Sequence, residues 1–150
     1  LGRGGAIKKA WAKVPNERII VTNGDIYTDL DLSQVLTTHI SQKKENGILA
    51  SICLFPYKSP YGIVRVSESG TVEDFEEKRN LPYWVNGGIY IFEPEAKNFL
   101  PDIGDHETTT FPELAKRKLI FGFKSEVYWK GIDTVKDLNE FASDRKLIAG

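Results

Sequence analysis

The residues best placed to do chemistry are Asn23-Gly24-Asp25. They follow a short β-branched run, Ile19-Ile20-Val21, whose residue types predict a buried strand. Asn-Gly is a turn signal, so one carboxylate, Asp25, is left just past the strand end. In open α/β sheets, ligands and cations bind beyond the carboxyl ends of the strands. Asp25 therefore has two readings. It is a ligand in such a crevice, or it finishes a turn for backbone reasons. A weaker candidate is the opening stretch Leu1-Gly2-Arg3-Gly4-Gly5-Ala6. A glycine-rich loop feeding a helix can present backbone N–H groups to an anion, but the spacing matches no phosphate-loop fingerprint and Arg3 is its only fixed charge.

Other reactive residue types carry less. Cys53 lies in the apolar run Ala50-Ser51-Ile52-Cys53-Leu54 and reads as a small buried hydrophobe, not a nucleophile. His39 and His106 stand far apart without His or Cys companions, and neither is read as a metal ligand. A single cysteine excludes an internal disulfide and suits a cytoplasmic protein. With 150 residues, 41% hydrophobic and 27% charged, the chain reads as one domain or part of one. A net charge of −1 makes no case for nucleic acid or a membrane surface, and no apolar run approaches transmembrane length. The chain has no methionine and opens inside the glycine-rich stretch, so the start of the domain is expected to be missing.

The elements that must position Asp25 follow from periodicity. Residues 6–14 predict a helix with Ile7, Ala10, Trp11 and Val14 on one face, stopped by Pro15-Asn16. After the Asp25 strand, Asp31 and Gln34 form a capping-box pattern. The helix it opens has Leu32, Val35, Leu36, His39 and Ile40 as its inner face and ends near Asn46-Gly47. Residues 48–55 are a near-continuous apolar run, the type found in a sheet covered on both faces. Strand, helix and strand make a βαβ unit with parallel strands. Residues 61–66 and 71–78 flank a turn and predict a hairpin. Residues 83–92 are a further strand interrupted by Gly87-Gly88, the mark of a bulge or a close approach. Short helices are expected at 94–100 and 110–117, the latter with Thr110 as cap. Short strands are expected at 121–123 and 127–129. An amphipathic helix over 134–148, with Val135, Leu138, Phe141, Ala142 and Arg145 facing inward, closes the chain.

Six stretches in this order then resemble a known family: Leu1-Gly2-Arg3-Gly4-Gly5-Ala6, Val21-Thr22-Asn23-Gly24-Asp25, Tyr61-Gly62-Ile63-Val64, Phe75-Glu76-Glu77-Lys78, Asn86-Gly87-Gly88-Ile89-Tyr90 and Phe111-Pro112-Glu113-Leu114. Together they resemble the sugar-phosphate nucleotidylyltransferases over essentially the whole chain. The resemblance implies a Rossmann-like, mainly parallel sheet with helices on both faces and a sugar-binding hairpin. It implies one nucleotidyltransferase domain over 1–150, the C-terminal portion of the family's. The implied reaction joins an NTP and a sugar 1-phosphate to give an NDP-sugar and pyrophosphate, with Mg²⁺. Two polyanions must meet, so positioning and charge neutralisation do most of the work.

By the same resemblance Asp25 is the principal metal ligand and Lys78 meets the sugar phosphate as a point charge. Glu77 accepts from sugar hydroxyls; a surface pair with Lys78 or Arg79 is its plainer reading. Asn86 both donates and accepts. Gly62 offers its backbone N–H, Gly87 and Gly88 keep side chains out of the way, and Gly2 packs against the base or ribose.

The departures are as informative. Arg79 stands where the family has proline, and Arg3 where it has threonine. The family's second metal aspartate is Gly131 here, and Asp133 lies two residues on. Asp133 either supplies that carboxylate or caps the last helix, a job Thr134 can also do. The family's triphosphate loop would precede Leu1, so the chain as given is expected to be inactive alone. A non-catalytic regulatory or binding paralogue of the same fold is the alternative. A transferase acting on another phosphorylated alcohol is a third. Neither the sugar, the base nor the oligomeric state is readable.

Overall fold

In the computed structural model, which describes residues 1–14 and 17–148, one sheet has the strand order β1 (Ile19–Thr22), β6 (Asn80–Phe92), β3 (Ala50–Lys58), β7 (Ile120–Lys124). β1, helix α2 (Leu32–Asn46) and β3 form the expected βαβ unit. Its two strands run in the same direction, but they are not neighbours. β6 lies between them, antiparallel to both, while β3 and β7 pair in parallel. Three of the four strands thus point one way. β6 is reversed because the chain reaches it from the hairpin β4 (Ile63–Val66) and β5 (Val72–Glu76). A central slot requires burial on both faces, which explains why Gly88 to Phe92 are all buried.

Alternation along β6 divides the core. Tyr90 and Phe92 pack with Trp11, Ala96, Leu100 and Leu114 on one face. Ile89 and Ile91 pack with Leu30, Val35, Cys53 and Phe55 on the other. Helices α1 (Gly2–Trp11) and α3 (Thr110–Lys116) therefore cover one face and α2 the other. Trp11, 2% exposed, is the largest plug; burying about 200 Å² of indole contributes roughly 5 kcal/mol. Cys53 is buried, and burial pushes its thiol up to about 12, so it is inert.

Several boundaries differ from the sequence reading. α1 starts at Gly2, not residue 6, and its inner face is Gly4, Ile7 and Trp11; Val14 is exposed. Positions 4 and 5 of the helix take glycine because any Cβ there would collide with residues 101–106. The expected stop at Pro15-Asn16 lies outside the described residues. α2 ends as expected, with Gly47 left-handed at φ 67°. Its cap is Asp31, which accepts from the Ser33 N–H at 2.8 Å; no return bond from Gln34 exists among the described residues. Leu32 and Ile40 are exposed, and α2's deepest residues are Val35 and His39. His39 Nδ1 meets Ser51 Oγ at 2.7 Å and Nε2 meets Glu93 Oε1 at 2.8 Å, with Arg18 donating to the same oxygen. Residues Pro94–Phe99 form a 3-10 helix. Thr110 does not cap α3: its hydroxyl is buried and donates to the Phe99 carbonyl.

The last elements were the least legible. β8 is Trp129–Gly131, and it pairs antiparallel with a strand not foreseen, β2 (Ile26–Thr28). α4 (Val135–Ile148) turns Phe141 and Arg145 inward, while Val135 and Leu138 are exposed. Arg145 lies over the Tyr27 ring at 4.1 Å and also pairs with Asp29, fastening α4 to β2. No helix among the described residues is long and apolar enough to cross a membrane.

Candidate active site

The Asp25 turn is held from both sides by backbone. The Asn23 N–H donates to the Gly88 carbonyl at 2.8 Å, and the Ile132 N–H donates to the Asp25 carbonyl at 2.7 Å. The ladder continues with Ile26 opposite Gly131. Asp25 therefore sits beside Ile132, one residue from both Gly131 and Asp133. Its carboxylate is exposed and, among the described residues, carries no hydrogen bond or ion pair.

Asp133 is also exposed and uncommitted. Thr134, not Asp133, caps α4: the Thr134 N–H donates to Asp137 Oδ2 at 2.9 Å, and the Asp137 N–H donates back to Thr134 Oγ1 at 3.2 Å. A Cβ built on Gly131 would lie 3.7 Å from Asp133 Oδ2. The Asp133 carboxylate thus occupies the space beside position 131, where the resemblance expects an aspartate. Magnesium takes one or two protein carboxylates and completes its shell with water and phosphate; Asp25 and Asp133, exposed on adjoining chain segments, are the residues that could hold one. No cluster of three or more His, Cys, Asp or Glu side chains suited to a metal exists among the described residues, so a cage built wholly of protein is not what this site offers.

Behind the turn, β6 bulges. Ile52 pairs with Tyr90 but Leu54 with Asn86, so the extra residues of β6 loop out at Gly87-Gly88. Gly88 has φ 71°, and a Cβ there would press into the Asn23 amide. A Cβ on Gly87 would lie 2.5 Å from Phe55 Cδ2 and closer still to Cε2. The Trp129 indole stacks on Phe55 and donates to the Gly87 carbonyl at 2.9 Å. The Asn86 side chain makes three bonds: Oδ1 accepts from the Gly88 N–H at 2.9 Å, and Nδ2 donates to Tyr90 Oη and Glu107 Oε1 at 2.9 and 3.0 Å.

The hairpin carries a second group. A Cβ on Gly62 would meet the Phe75 ring and stand 3.0 Å from Glu77 Oε2, so glycine is what lets Glu77 lie over this backbone. Arg79 pairs with Glu76 at 3.0 Å, which leaves Glu77 unpaired among the described residues. Lys78 is exposed with φ 53°, a strained conformation for a residue with a side chain. Lys130 binds Glu140 at 2.5 Å, and that bond, helped by Lys136 and Lys78, holds the Glu140 carboxyl below its usual range.

At the start of α1 the glycine-rich stretch packs on Gly104. The N–H groups of Gly4 and Gly5 both donate to the Gly104 carbonyl, so the expected anion cradle is already capped. Gly2 packs on Gly104 with φ 69°. Arg3 bonds Asp105 Oδ2 at 2.7 Å and both oxygens of Glu107. The structure thus gathers Asp25, Asp133, Asn86 and Gly87 around one turn and Gly62 with Glu77 on the hairpin. It leaves Gly2 at the start of α1, one residue from the Arg3 pairs. Three contributors were not foreseen: Asn23, Trp129 and Glu107. Asn23 lies within a motif and Trp129 within the strand predicted at 127–129, but nothing in their spacing tells that they clamp Gly88 and Gly87. Glu107 sits in a polar loop with no periodicity to mark it. A cleft of about 510 Å³ lined by Pro56, Asn80, Tyr83, Trp84 and Glu126 holds none of the expected residues.

The family described as Nucleotidyl transferase matches residues 2–146. The UTP--glucose-1-phosphate uridylyltransferase of Synechocystis is 32% identical over 91% of this chain, which spans 38% of that protein. The D-glycero-alpha-D-manno-heptose 1-phosphate guanylyltransferase of Aneurinibacillus thermoaerophilus is 31% identical over 91% of the chain, which spans 60% of it. The crystal structure of HddC from Yersinia pseudotuberculosis superposes with a TM-score of 0.64 at 23% identity, covering 93% of this chain and 60% of that one. The chain thus spans less than two thirds of the length of these relatives. It belongs to the nucleotidyl transferase family.

Proposed function

We propose that the whole protein transfers a nucleotidyl group from an NTP to a sugar 1-phosphate, giving an NDP-sugar and pyrophosphate. Family membership and the relatives' names support the class. The observation that carries the reading is the meeting of Asp25 with the Gly131–Asp133 segment through the 2.7 Å bond from Ile132. A phosphate oxygen of the sugar phosphate attacks the α-phosphorus in line, and the bond to pyrophosphate breaks. Asp25 and Asp133 would hold Mg²⁺, which when bound neutralises charge on the reacting phosphates. Lys78 offers its ammonium to the sugar phosphate, and its left-handed backbone is the strain expected at a functional turn. Glu77 accepts from sugar hydroxyls while the Gly62 N–H approaches the ring. Asn86 has one lone pair left on Oδ1 for the sugar; its main task is internal. Gly2 faces the base or ribose. A reduced, buried Cys53 suits a cytoplasmic enzyme of nucleotide-sugar synthesis.

Pyrophosphate release is the test, measured on the whole protein with Mg²⁺ and a panel of NTPs and sugar 1-phosphates. Turnover with one pair is expected. No turnover with any pair, alongside intact partner binding, would favour a non-catalytic paralogue. Calorimetric binding of phosphorylated alcohols in place of sugar phosphates would redirect the substrate assignment.

A further inference from the structure

A continuous path of hydrogen bonds runs from the start of α1 to the Asp25 turn. Arg3 donates to both Glu107 oxygens at 3.2 and 3.0 Å. Glu107 Oε1 accepts from Asn86 Nδ2 and from the Tyr90 hydroxyl, each at 3.0 Å. Asn86 Oδ1 takes the Gly88 N–H, and the Gly88 carbonyl takes the Asn23 N–H at 2.8 Å. Asn23 lies two residues before Asp25. Tyr90 is fully buried, and its ring packs among Phe92, His106 and Phe111, so this end of the path cannot shift.

The consequences follow from the donor count. A primary amide can turn over and exchange its oxygen with its nitrogen. In Asn86 that exchange would aim NH₂ at the Gly88 N–H and the carbonyl at Glu107, setting donor against donor and acceptor against acceptor. The Glu107 carboxylate, which only accepts, forbids it. Gly88 at φ 71° has no side chain to hold its peptide in place, so the Asn86 bond does so. That peptide, Gly87–Gly88, carries the carbonyl that takes the Trp129 indole N–H, and at the Gly88 Cα it joins the next peptide, whose carbonyl takes the Asn23 N–H.

We propose that Glu107 is a positioning residue for the Asp25 cation site, acting through Asn86 and Gly88. The proposal rests on the reading of Asp25 given above. Hydrogen-bonded partners of metal ligands limit where the ligand can point, and their loss typically costs about 10- to 100-fold in metal affinity. Glu107 acts through several bonds, so the lower end applies.

Mn²⁺ binding to the whole protein, followed by loss of the free-ion EPR signal, tests this without requiring turnover. Asp25→Asn is expected to abolish the site. Glu107→Ala is expected to weaken Mn²⁺ about ten-fold. Glu107→Gln keeps an oxygen for Asn86 and Tyr90 and gives up only the Arg3 limb. It is expected to bind within about two-fold of the unsubstituted protein, by the same scale. Thermal melting of each variant reports folding separately. If Glu107→Ala leaves Mn²⁺ affinity unchanged, or if Glu107→Gln weakens it as much as Glu107→Ala, the positioning role is wrong. If Asp25→Asn binds Mn²⁺ like the unsubstituted protein, the Asp25 reading itself has failed, whatever Glu107 does.

Discussion

Gly87→Ala should damage both stability and the site, by an amount the structure allows to be worked out. The new Cβ would stand 2.5 Å from Phe55 Cδ2, closer still to Cε2, and 3.1 Å from the Cys53 carbonyl oxygen. Carbon atoms prefer about 3.5–4.0 Å, so the ring must retreat by more than an ångström. Phe55 is 1% exposed, and its ring is stacked against Trp129 at 5.4 Å between centroids. There is no free volume to retreat into. Overpacking of this kind costs about 1–3 kcal/mol. Displacing Trp129 also breaks its bond to the Gly87 carbonyl, about 1 kcal/mol more. The total is roughly 2–4 kcal/mol, equivalent to about 5–15 °C in Tm for a chain of this size. Gly24→Ala, two residues along from Thr22, is the control: nothing lies within 4 Å of its Cβ, and it should be neutral or stabilise by up to about 1 kcal/mol. Urea unfolding of both variants, with Mn²⁺ affinity measured in parallel, decides the matter. A Gly87→Ala protein within about 0.5 kcal/mol of the unsubstituted one, a typical surface effect, would refute the packing argument.

Other expectations follow from single features. Lys78→Gly relieves the left-handed strain and should raise stability by about 1 kcal/mol while raising KM for the sugar 1-phosphate; a lower Tm in calorimetry would contradict it. Thr134→Ala removes one half of the reciprocal cap and should cost α4 about 1 kcal/mol by urea unfolding. His39 and His106 are both held below the usual histidine range, chiefly by burial, partly opposed by Glu93 and Asp105 respectively. Their folded forms resist protons that the unfolded chain accepts. Stability should therefore be complete above about pH 6.5 and fall as pH drops below it. Among the described residues neither ring nitrogen of His106 has a hydrogen-bond partner, so His106→Phe should flatten that fall in a Tm-versus-pH series without removing a hydrogen bond.

Local structure was legible wherever the determinants lie within one turn or one strand. The α2 limits, the β4–β5 hairpin and the Asp25 strand follow from Asp31, Gly47, Gly70 and the run Ile19 to Val21. Strand order was not legible, because β6 takes its place through pairing with residues some thirty and seventy positions away. The start of α1 was misplaced for a related reason. Glycine has poor helix propensity, and only the wall of residues 101–106 makes Gly4 and Gly5 useful inside a helix. At the site, residue types singled out Asp25, and the family resemblance added Glu77 and Lys78. They left Asp133 divided between ligand and cap, and the Thr134–Asp137 pair removes the cap. Asn86 shows the opposite lesson. Its ability to donate and accept suits a sugar, yet three bonds within the fold already use it. Glu107, in the loop between Phe99 and Thr110, carries no local mark at all.

The account stands most directly on the two carboxylates beside Ile132. Pyrophosphate release by the whole protein, with Asp25→Asn and Asp133→Asn compared at saturating Mg²⁺, measures them. Loss of several kcal/mol of charge stabilisation predicts a fall of about 100-fold or more for Asp25→Asn. A clear fall with a raised Mg²⁺ requirement is predicted for Asp133→Asn. Turnover by Asp25→Asn equal to that of the unsubstituted protein would contradict the assignment of this turn as the reaction centre.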